Sequence, residues 1–191
     1  MQELIQKNRS YRRFYQDQAI SEATLRGLVD LARLSASAAN RQPLKYILSW
    51  TPQRNELIFP CLAWAGYLKQ WPGPAEGERP AAYIIVLGDT RISQSFGCDH
   101  GIAAQSILLS AVEQGLGGCM LSAVNRPQLA QALHIPPHFE ILLVLALGKP
   151  KETVVVEALP PGGAVEYWRD DHQVHHVPKR DLAELLIELP E

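Results

Sequence analysis

The chain has 191 residues, of which 47% are hydrophobic and 20% are charged, and its formal net charge is −2. These values are typical of a globular protein with one sizeable core, and the slight acidic excess argues against nucleic-acid binding. Three scattered cysteines fit free thiols in a reducing compartment, and with no signal-peptide pattern and no long apolar run we expect a cytoplasmic protein outside the membrane.

An amphipathic helix is the first regular element that the sequence predicts. Ser21 has the position and chemistry of an N-cap. Leu25, Leu28, Val29 and Ala32 then recur at helical spacing and share one apolar face. This face predicts a helix packed on the core.

Strand and helix signals alternate through the middle of the chain. Residues 45–50 and 82–89 are apolar runs typical of strands. Residues 55–70 have a helical pattern that a proline interrupts, and residues 71–80 contain enough Pro and Gly to predict a lid-like loop or a connector. Residues 99–115 give the strongest helix signal, with one face of small side chains.

The last third of the chain predicts two more strands, two helices and an extended arm. Strands are expected at 117–124 and 139–148, with a helix between them that Asn125 caps. Residues 152–159 read as an edge strand or arm, and a last helix follows with these leucines on one face: Leu182, Leu185, Leu186 and Leu189. The predicted architecture has helices on a sheet of four or five strands. The arm has no evident place in a compact monomer, so it could wrap onto a second copy.

Cationic side chains occur near both ends of the chain. Arg9 and Arg12 flank Ser10, and guanidinium groups together with a hydroxyl suit a phosphate. Lys179 and Arg180 form a second cationic pair. Two unrelated surface patches are the alternative, because nothing in the spacing brings the two ends together.

Two further segments have the chemistry of a heterocycle-binding site. Ser37, Asn40 and Gln42 offer hydroxyl and amide groups for the polar edge of a ring, although a polar loop explains them as well. Gly117 and Gly118 could present backbone amides to a flat ligand, or form the turn after a helix. Their spacing is not that of a dinucleotide fingerprint.

The C-terminal histidines would suit a metal ion only on a helix. His172, His175 and His176 lie in a segment that reads as extended, where His175 faces away from the other two. We therefore predict no metal site. Because the sequence also lacks GxSxG, HExxH and GxxxxGK[ST] motifs, no catalytic side chain is assigned.

Four segments in the right order resemble the FMN-dependent nitroreductase family over most of the chain. The family patterns are RRSxRxF, PSxxNxQPW, a small-residue helix ending in GLGtcw, and a strand ending in GxP before a basic pair. The matching segments here are NRSYRRF, ASAANRQPL, AAQSILLSAVEQGLGGCM and LGKP, followed by PKR.

The resemblance implies one α+β domain over residues 1–191, with a central mixed or antiparallel sheet flanked by helices. It also implies an intertwined homodimer with FMN at the interface and a swapped arm over about residues 151–191. Within it, these residues would hold the phosphate and ribityl chain: Arg9, Ser10 and Arg12, with Lys179 or Arg180. Ser37, Asn40 and Gln42 would reach the ring from the partner subunit, with Gly117 and Gly118 near its polar edge.

The activity implied by the resemblance is reduction of a nitroaromatic, quinone or similar small acceptor, with electrons from NADH or NADPH in a ping-pong sequence. A dehalogenase, a flavin-fragmenting enzyme and a non-catalytic FMN-binding dimer remain alternatives, because one scaffold supports several functions. Asn8, Ala36 and Leu44 stand where family members often have Arg, Pro and Trp. The physiological acceptor and the choice of nicotinamide are not specified by the sequence.

Overall fold

The computed structural model of the chain describes residues 1–189. Within these residues the chain forms six α-helices and the strands of two sheets. The helices are α1 (Gln2–Lys7), α2 (Glu22–Ala32), α3 (Pro52–Ile58), α4 (Asp99–Glu113), α5 (Arg126–Ala132) and α6 (Leu182–Leu185), with 3₁₀ turns at Ala38–Asn40 and Phe59–Cys61. No helix within the described part of the chain is long and apolar enough to cross a membrane.

The central sheet has five antiparallel strands around β5. Its strands are β1 (Phe14–Tyr15), β2 (Leu44–Ser49), β3 (Ala82–Asp89), β4 (Gly117–Leu121) and β5 (Phe139–Pro150). The order runs β1-β5-β3-β2, and β4 also pairs with β5. Tyr46 of β2 is opposite Val86, and Ile84 of β3 is opposite Leu145 of β5. The predicted antiparallel alternative for the sheet is therefore confirmed.

Helices cover both faces of this sheet. Side chains alternate across each strand, so Ile84 and Val86 face the cluster formed with α2 and α4. Tyr83, Ile85 and Leu87 face the other cluster, to which α3 and α5 contribute. Every residue of β3 is buried, which explains its uninterrupted apolar sequence.

The helix caps that the sequence predicts are confirmed. The Ser21 hydroxyl accepts from the backbone amide of Thr24 at 3.0 Å, and the Asn125 side chain accepts from the backbone amide of Gln128 at 3.3 Å. Each bond satisfies an amide that has no partner within its own helix.

The predicted helical pattern of residues 55–70 is wrong beyond residue 61. Pro60 has no amide hydrogen, and its ring crowds the preceding turn, so α3 ends at Ile58. The chain then pairs with the segment after β4: the Ala63 amide donates to the Ala123 carbonyl at 2.9 Å.

The C-terminal region forms a second sheet and ends in an exposed apolar segment. Strand β8 (His175–Lys179) lies between β6 (Val154–Ala158) and β7 (Trp168–Arg169), parallel to the first and antiparallel to the second. The predicted last helix is only the four residues of α6. Its leucines and those that follow have no core to cover them: Leu182, Leu185, Leu186, Ile187 and Leu189 are 63% to 86% exposed. The last two residues of the predicted arm lie outside the described part.

Candidate functional site

A cleft with cationic walls forms where the two ends of the chain meet. The segment after α1 runs beside the start of β4, with the Tyr11 amide donating to the Gly118 carbonyl at 3.0 Å. Strand β8 forms the opposite wall. This cationic cleft has a volume of about 250 Å³ and is lined by Asn8, Arg9, Ser10, Arg12, Tyr167, His175, Val177 and Lys179.

The two glycines of β4 permit the close approach that builds this cleft. A Cβ atom on Gly117 would lie 2.5 Å from the Tyr11 ring. A Cβ atom on Gly118 would lie 2.6 Å from the Ala146 carbonyl oxygen. Such distances are far inside van der Waals contact, so larger residues would separate the N-terminal segment from β4 or β4 from β5.

Arg12 is the most buried cation of the cleft, with 9% of its surface exposed. Its Nη1 donates to the Ser10 carbonyl and contacts His175 Nε2, both at 3.2 Å. The guanidinium carbon also lies 4.8 Å from the centre of the Tyr167 ring. Within residues 1–189 no carboxylate forms an ion pair with Arg12, and its Nε has no hydrogen-bond partner.

The other cleft cations are placed at the rim. Arg9 donates to the carbonyls of Asn8 and Ile5, so it also caps the end of α1. Lys179 is exposed on the same face of β8 as His175. Arg180 lies outside the cleft and donates to Glu184 at 2.8 Å.

A buried carboxylate holds the N-terminal wall in place. The side chain of Glu152 is fully buried, and its Oε1 accepts the backbone amides of Arg12 and Arg13. Its Oε2 accepts from Arg169 Nη2 at 3.1 Å. Burial lowers the pKa of Arg169, although the negative charge of Glu152 acts in the opposite direction. Glu152 thus joins the segment that carries Arg12 to the C-terminal sheet.

The loop of residues 37–42 occupies a separate place on the same protomer. Ser37 Oγ donates to Asp99 Oδ2 at 2.6 Å, and the backbone amide of Gln42 donates to Ser37 Oγ at 3.0 Å. Ala39, Asn40 and Gln42 all have φ between 51° and 52°. Left-handed non-glycine residues are uncommon and cluster at functional sites.

Asn40 and Gln42 are exposed, and the cavity at the base of this loop, about 190 Å³, shares no lining residue with the cationic cleft. The predicted site residues therefore form two groups on one protomer.

Sequence reasoning missed three side chains of this region. His175, Tyr167 and Glu152 were assigned no role. His175 was detectable, because strand alternation places residues 175, 177 and 179 on one face and Lys179 was already a candidate. No sequence pattern identifies Glu152 or Tyr167.

The opposite face of β8 is fixed by His176, which contacts two carboxylates. His176 Nδ1 bonds to Glu157, and Nε2 lies 3.3 Å from Asp170 Oδ2. Its ring stacks on Trp168 with 4.0 Å between ring centres. The hydrogen bond to Glu157, with help from Asp170, raises the pKa of His176.

This raised pKa predicts a pH-dependent stability. The favourable contribution is full below the unfolded pKa of about 6.5 and is lost as pH rises through the higher folded value. In urea unfolding, wild type should exceed His176→Gln in stability most at pH 6 and progressively less at higher pH. A stability difference that grows with pH would contradict this assignment.

The family model described as the nitroreductase family matches residues 76–149, which include β3, α4, β4 and α5. A protein of Archaeoglobus fulgidus named "Putative NADH dehydrogenase/NAD(P)H nitroreductase" is 26% identical over 148 residues, covering 73% of this chain and 80% of the relative.

Solved structures share the fold. A nitroreductase family protein from Clostridium novyi NT has 24% identity and a TM-score of 0.65, covering 78% of this chain and 86% of its own. A structure from Desulfovibrio desulfuricans is described as a "putative nitroreductase in complex with FMN". It has 23% identity and a TM-score of 0.71, and the match covers 100% of this chain and 96% of the chain in that structure. These comparisons confirm the resemblance to the nitroreductase family and the α+β fold.

Proposed function

We propose that this chain, which has the nitroreductase fold, is an FMN-dependent oxidoreductase that reduces nitroaromatic, quinone or similar small acceptors with electrons from NADH or NADPH. The names of the Archaeoglobus fulgidus relative and of the Desulfovibrio desulfuricans structure support this activity and cofactor. When bound, FMN would accept a hydride from the nicotinamide and pass two electrons to the acceptor. The chain's contribution is to bind, orient and electrostatically stabilise the cofactor.

The buried Arg12 side chain is the observation that carries this proposal. A guanidinium taken out of water without an anionic partner is costly. Arg9 and Lys179 add like charge at the rim of the same cleft. A phosphate monoester placed there, with a charge of about −2, would offset most of the charge of the three cations. Arg forms the strongest hydrogen bonds to such a group.

The cleft fits the phosphate end of FMN better than a whole flavin. Its volume of about 250 Å³ lies below the usual range for a drug-sized ligand. Arg9, Ser10, Arg12 and Lys179 would hold the phosphate and the start of the ribityl chain. Lys179 is the better candidate of the basic pair, because Arg180 points outside the cleft toward Glu184.

The remaining site residues would lie beside the ring. We assign the Ser37, Asn40 and Gln42 loop to the ring of an FMN held by the partner subunit, because on its own protomer this loop lies apart from the cationic cleft. Gly117 and Gly118 are buried in β4 against Tyr11 and Ala146 and do not line the cleft, so only their proximity to the polar edge of the ring is proposed, with no direct contact. A ring between the cleft and a second copy's loop would be covered on both sides.

A homodimer is part of this proposal, with the end of the arm reaching the partner. The predicted arm spans about residues 151–191; because β6 and β8 pair with each other in one protomer, we assign its exchanged part to residues 181–189. Its apolar side chains are exposed in one protomer. The three unpaired cysteines are consistent with the reducing cytoplasm that we propose as its location.

The dimer is tested by making the arm polar. Burial of each large apolar side chain contributes about 1.5–3 kcal/mol, so the triple change Leu182→Ser, Leu186→Ser and Ile187→Ser should raise the dimer Kd at least about 100-fold. Size-exclusion chromatography with light scattering measures the mass. Glu188→Gln changes the same segment without changing its apolar surface and should remain dimeric. A triple variant with the dimer Kd of wild type would exclude this role for the arm.

The function itself is tested with purified protein and FMN. Apoprotein should quench FMN fluorescence at a saturating stoichiometry of one FMN per chain. Under anaerobic conditions, NADH or NADPH should bleach the visible absorbance of the bound flavin, and a nitroaromatic or quinone should restore it. FMN binding without bleaching by either nucleotide would refute the reductase activity and favour a non-catalytic FMN-binding dimer. No FMN binding would refute the proposal.

A further inference from the structure

Arg12 differs from its neighbours Arg13 and Arg169 in the charge of its partners. Arg13 forms an ion pair with Glu78 at 2.6 Å, and Arg169 with Glu152 at 3.1 Å. Arg12 instead contacts a carbonyl oxygen, an imidazole nitrogen and the face of an aromatic ring. Its three contacts hold the guanidinium in place and leave it without a carboxylate partner among residues 1–189.

The contact with His175 determines the tautomer of the imidazole. A guanidinium nitrogen can only donate, so Nε2 of His175 must accept and the ring proton lies on Nδ1. Only 1% of the His175 surface is exposed, and its Nδ1 has no partner among residues 1–189. Burial, reinforced by the charges of Arg12 and Arg169, lowers the pKa of His175 to about 4, so the ring is neutral at physiological pH.

The position of His175 is fixed by its own strand. Its backbone amide donates to the Thr153 carbonyl at 2.9 Å, and the next residue, His176, anchors the opposite face of β8 between Glu157 and Asp170. The Tyr167 ring packs beside the imidazole with 5.1 Å between ring centres. The acceptor nitrogen is therefore rigidly placed toward Arg12.

We propose that His175 is a positioning residue that holds Arg12 by accepting its hydrogen bond without neutralising its charge, so that the cleft selects a phosphate monoester. The inference rests on the proposed function and deepens it: His175 would make the site bind FMN in preference to riboflavin, which lacks the phosphate. A carboxylate at the same place would orient Arg12 equally well but would neutralise the charge of its guanidinium.

Three variants at this position distinguish the loss of the hydrogen-bond acceptor from the addition of a negative charge. His175→Gln keeps an acceptor near the position of Nε2, so the FMN Kd should stay within about threefold of wild type. His175→Leu removes the acceptor and should raise the Kd about tenfold. His175→Glu pairs with Arg12 and should raise the Kd about a hundredfold, because the phosphate then loses its charge-assisted bond.

Riboflavin binding is the readout that a merely structural role would not produce. The Kd for riboflavin should be the same in wild type, His175→Gln and His175→Leu, within about twofold. Equal losses for FMN and riboflavin, or an FMN Kd unchanged in His175→Leu, would overturn the inference. His172→Gln replaces an exposed histidine of the same segment and serves as the matched control. If the glutamate variant does not fold, the glutamine and leucine variants still decide the question.

A double-mutant cycle tests whether His175 acts through Arg12. In an Arg12→Met background, His175→Leu should raise the FMN Kd by less than about twofold, since the hydrogen bond is already absent. A full tenfold loss in that background would contradict the positioning role.

Inorganic phosphate separates this inference from the proposed function. Phosphate should raise the thermal unfolding midpoint of wild-type apoprotein and His175→Gln more than that of His175→Leu. If wild type binds no FMN but shows this His175-dependent protection, the proposed function fails and the positioning role stands. If FMN binds and the His175 variants do not discriminate, only the positioning role fails. If neither FMN nor phosphate binds wild type, both fail.

Discussion

Replacing Arg12 with methionine is expected to weaken FMN binding by about 2–3 kcal/mol, a rise in Kd of roughly 30–150-fold. Arg12 is the one cation of the cleft that is both buried and held only by neutral contacts in the described structure. Methionine fills similar space without charge. Fluorescence titration of apoprotein with FMN measures the change, and the riboflavin Kd should move by less than about threefold.

The apoprotein stability of Arg12→Met is expected to stay within about 1 kcal/mol of wild type. Removing the guanidinium loses its bonds to the Ser10 carbonyl and to His175 Nε2 but also relieves the cost of a buried charge beside Arg169. Urea unfolding measures this difference. If Arg12→Met keeps the FMN affinity of wild type, the phosphate of FMN must bind elsewhere.

Two further substitutions locate the second cation of the site. Lys179→Met should raise the FMN Kd about tenfold, since Lys179 lines the cleft. Arg180→Met is the matched control, because this neighbouring side chain already pairs with Glu184. It should change the Kd by less than about twofold.

The elements and the cationic residues could be predicted from local sequence. Caps at Ser21 and Asn125 and the apolar run of β3 depend on interactions within a few residues, and the structure confirms them. The meeting of Arg9 and Arg12 with Lys179 depends on contacts between the two ends of the chain. Residue spacing carries no information on such contacts, so the resemblance to a family was needed to predict it.

Other features could not be predicted because tertiary contacts determine them. The pattern of residues 55–70 is helical by composition, but backbone pairing of Ala63 with Ala123 replaces the helix. The leucines of the last predicted helix have the correct period and no surface to pack on within one protomer. Arg13 appears in the same cluster as Arg12 in the sequence, yet its pair with Glu78 makes it structural.

Glu152 is the residue of the cleft wall whose substitution should lower the free energy of unfolding most. Its carboxylate is fully buried and accepts two backbone amides together with one guanidinium. Arg169 has a side chain only 9% exposed. Removing one member of a buried ion pair leaves the other charge uncompensated, at a cost of about 3–5 kcal/mol.

Glu152→Gln is therefore expected to lower the free energy of unfolding by about 3 kcal/mol and to abolish most FMN binding, since the amides of Arg12 and Arg13 lose a charged acceptor. Glu78→Gln is the matched control: its ion pairs with Arg13 and Lys151 are closer to solvent, so its loss of stability should be smaller than that of Glu152→Gln. The double variant Glu152→Gln with Arg169→Met should recover more than half of the lost stability, because the buried charge of Arg169 is then no longer left without its partner. FMN affinity should not recover, since the acceptor that holds the Arg12 backbone remains uncharged. A double variant less stable than Glu152→Gln alone would show that Glu152 stabilises the wall through its backbone contacts and not through Arg169.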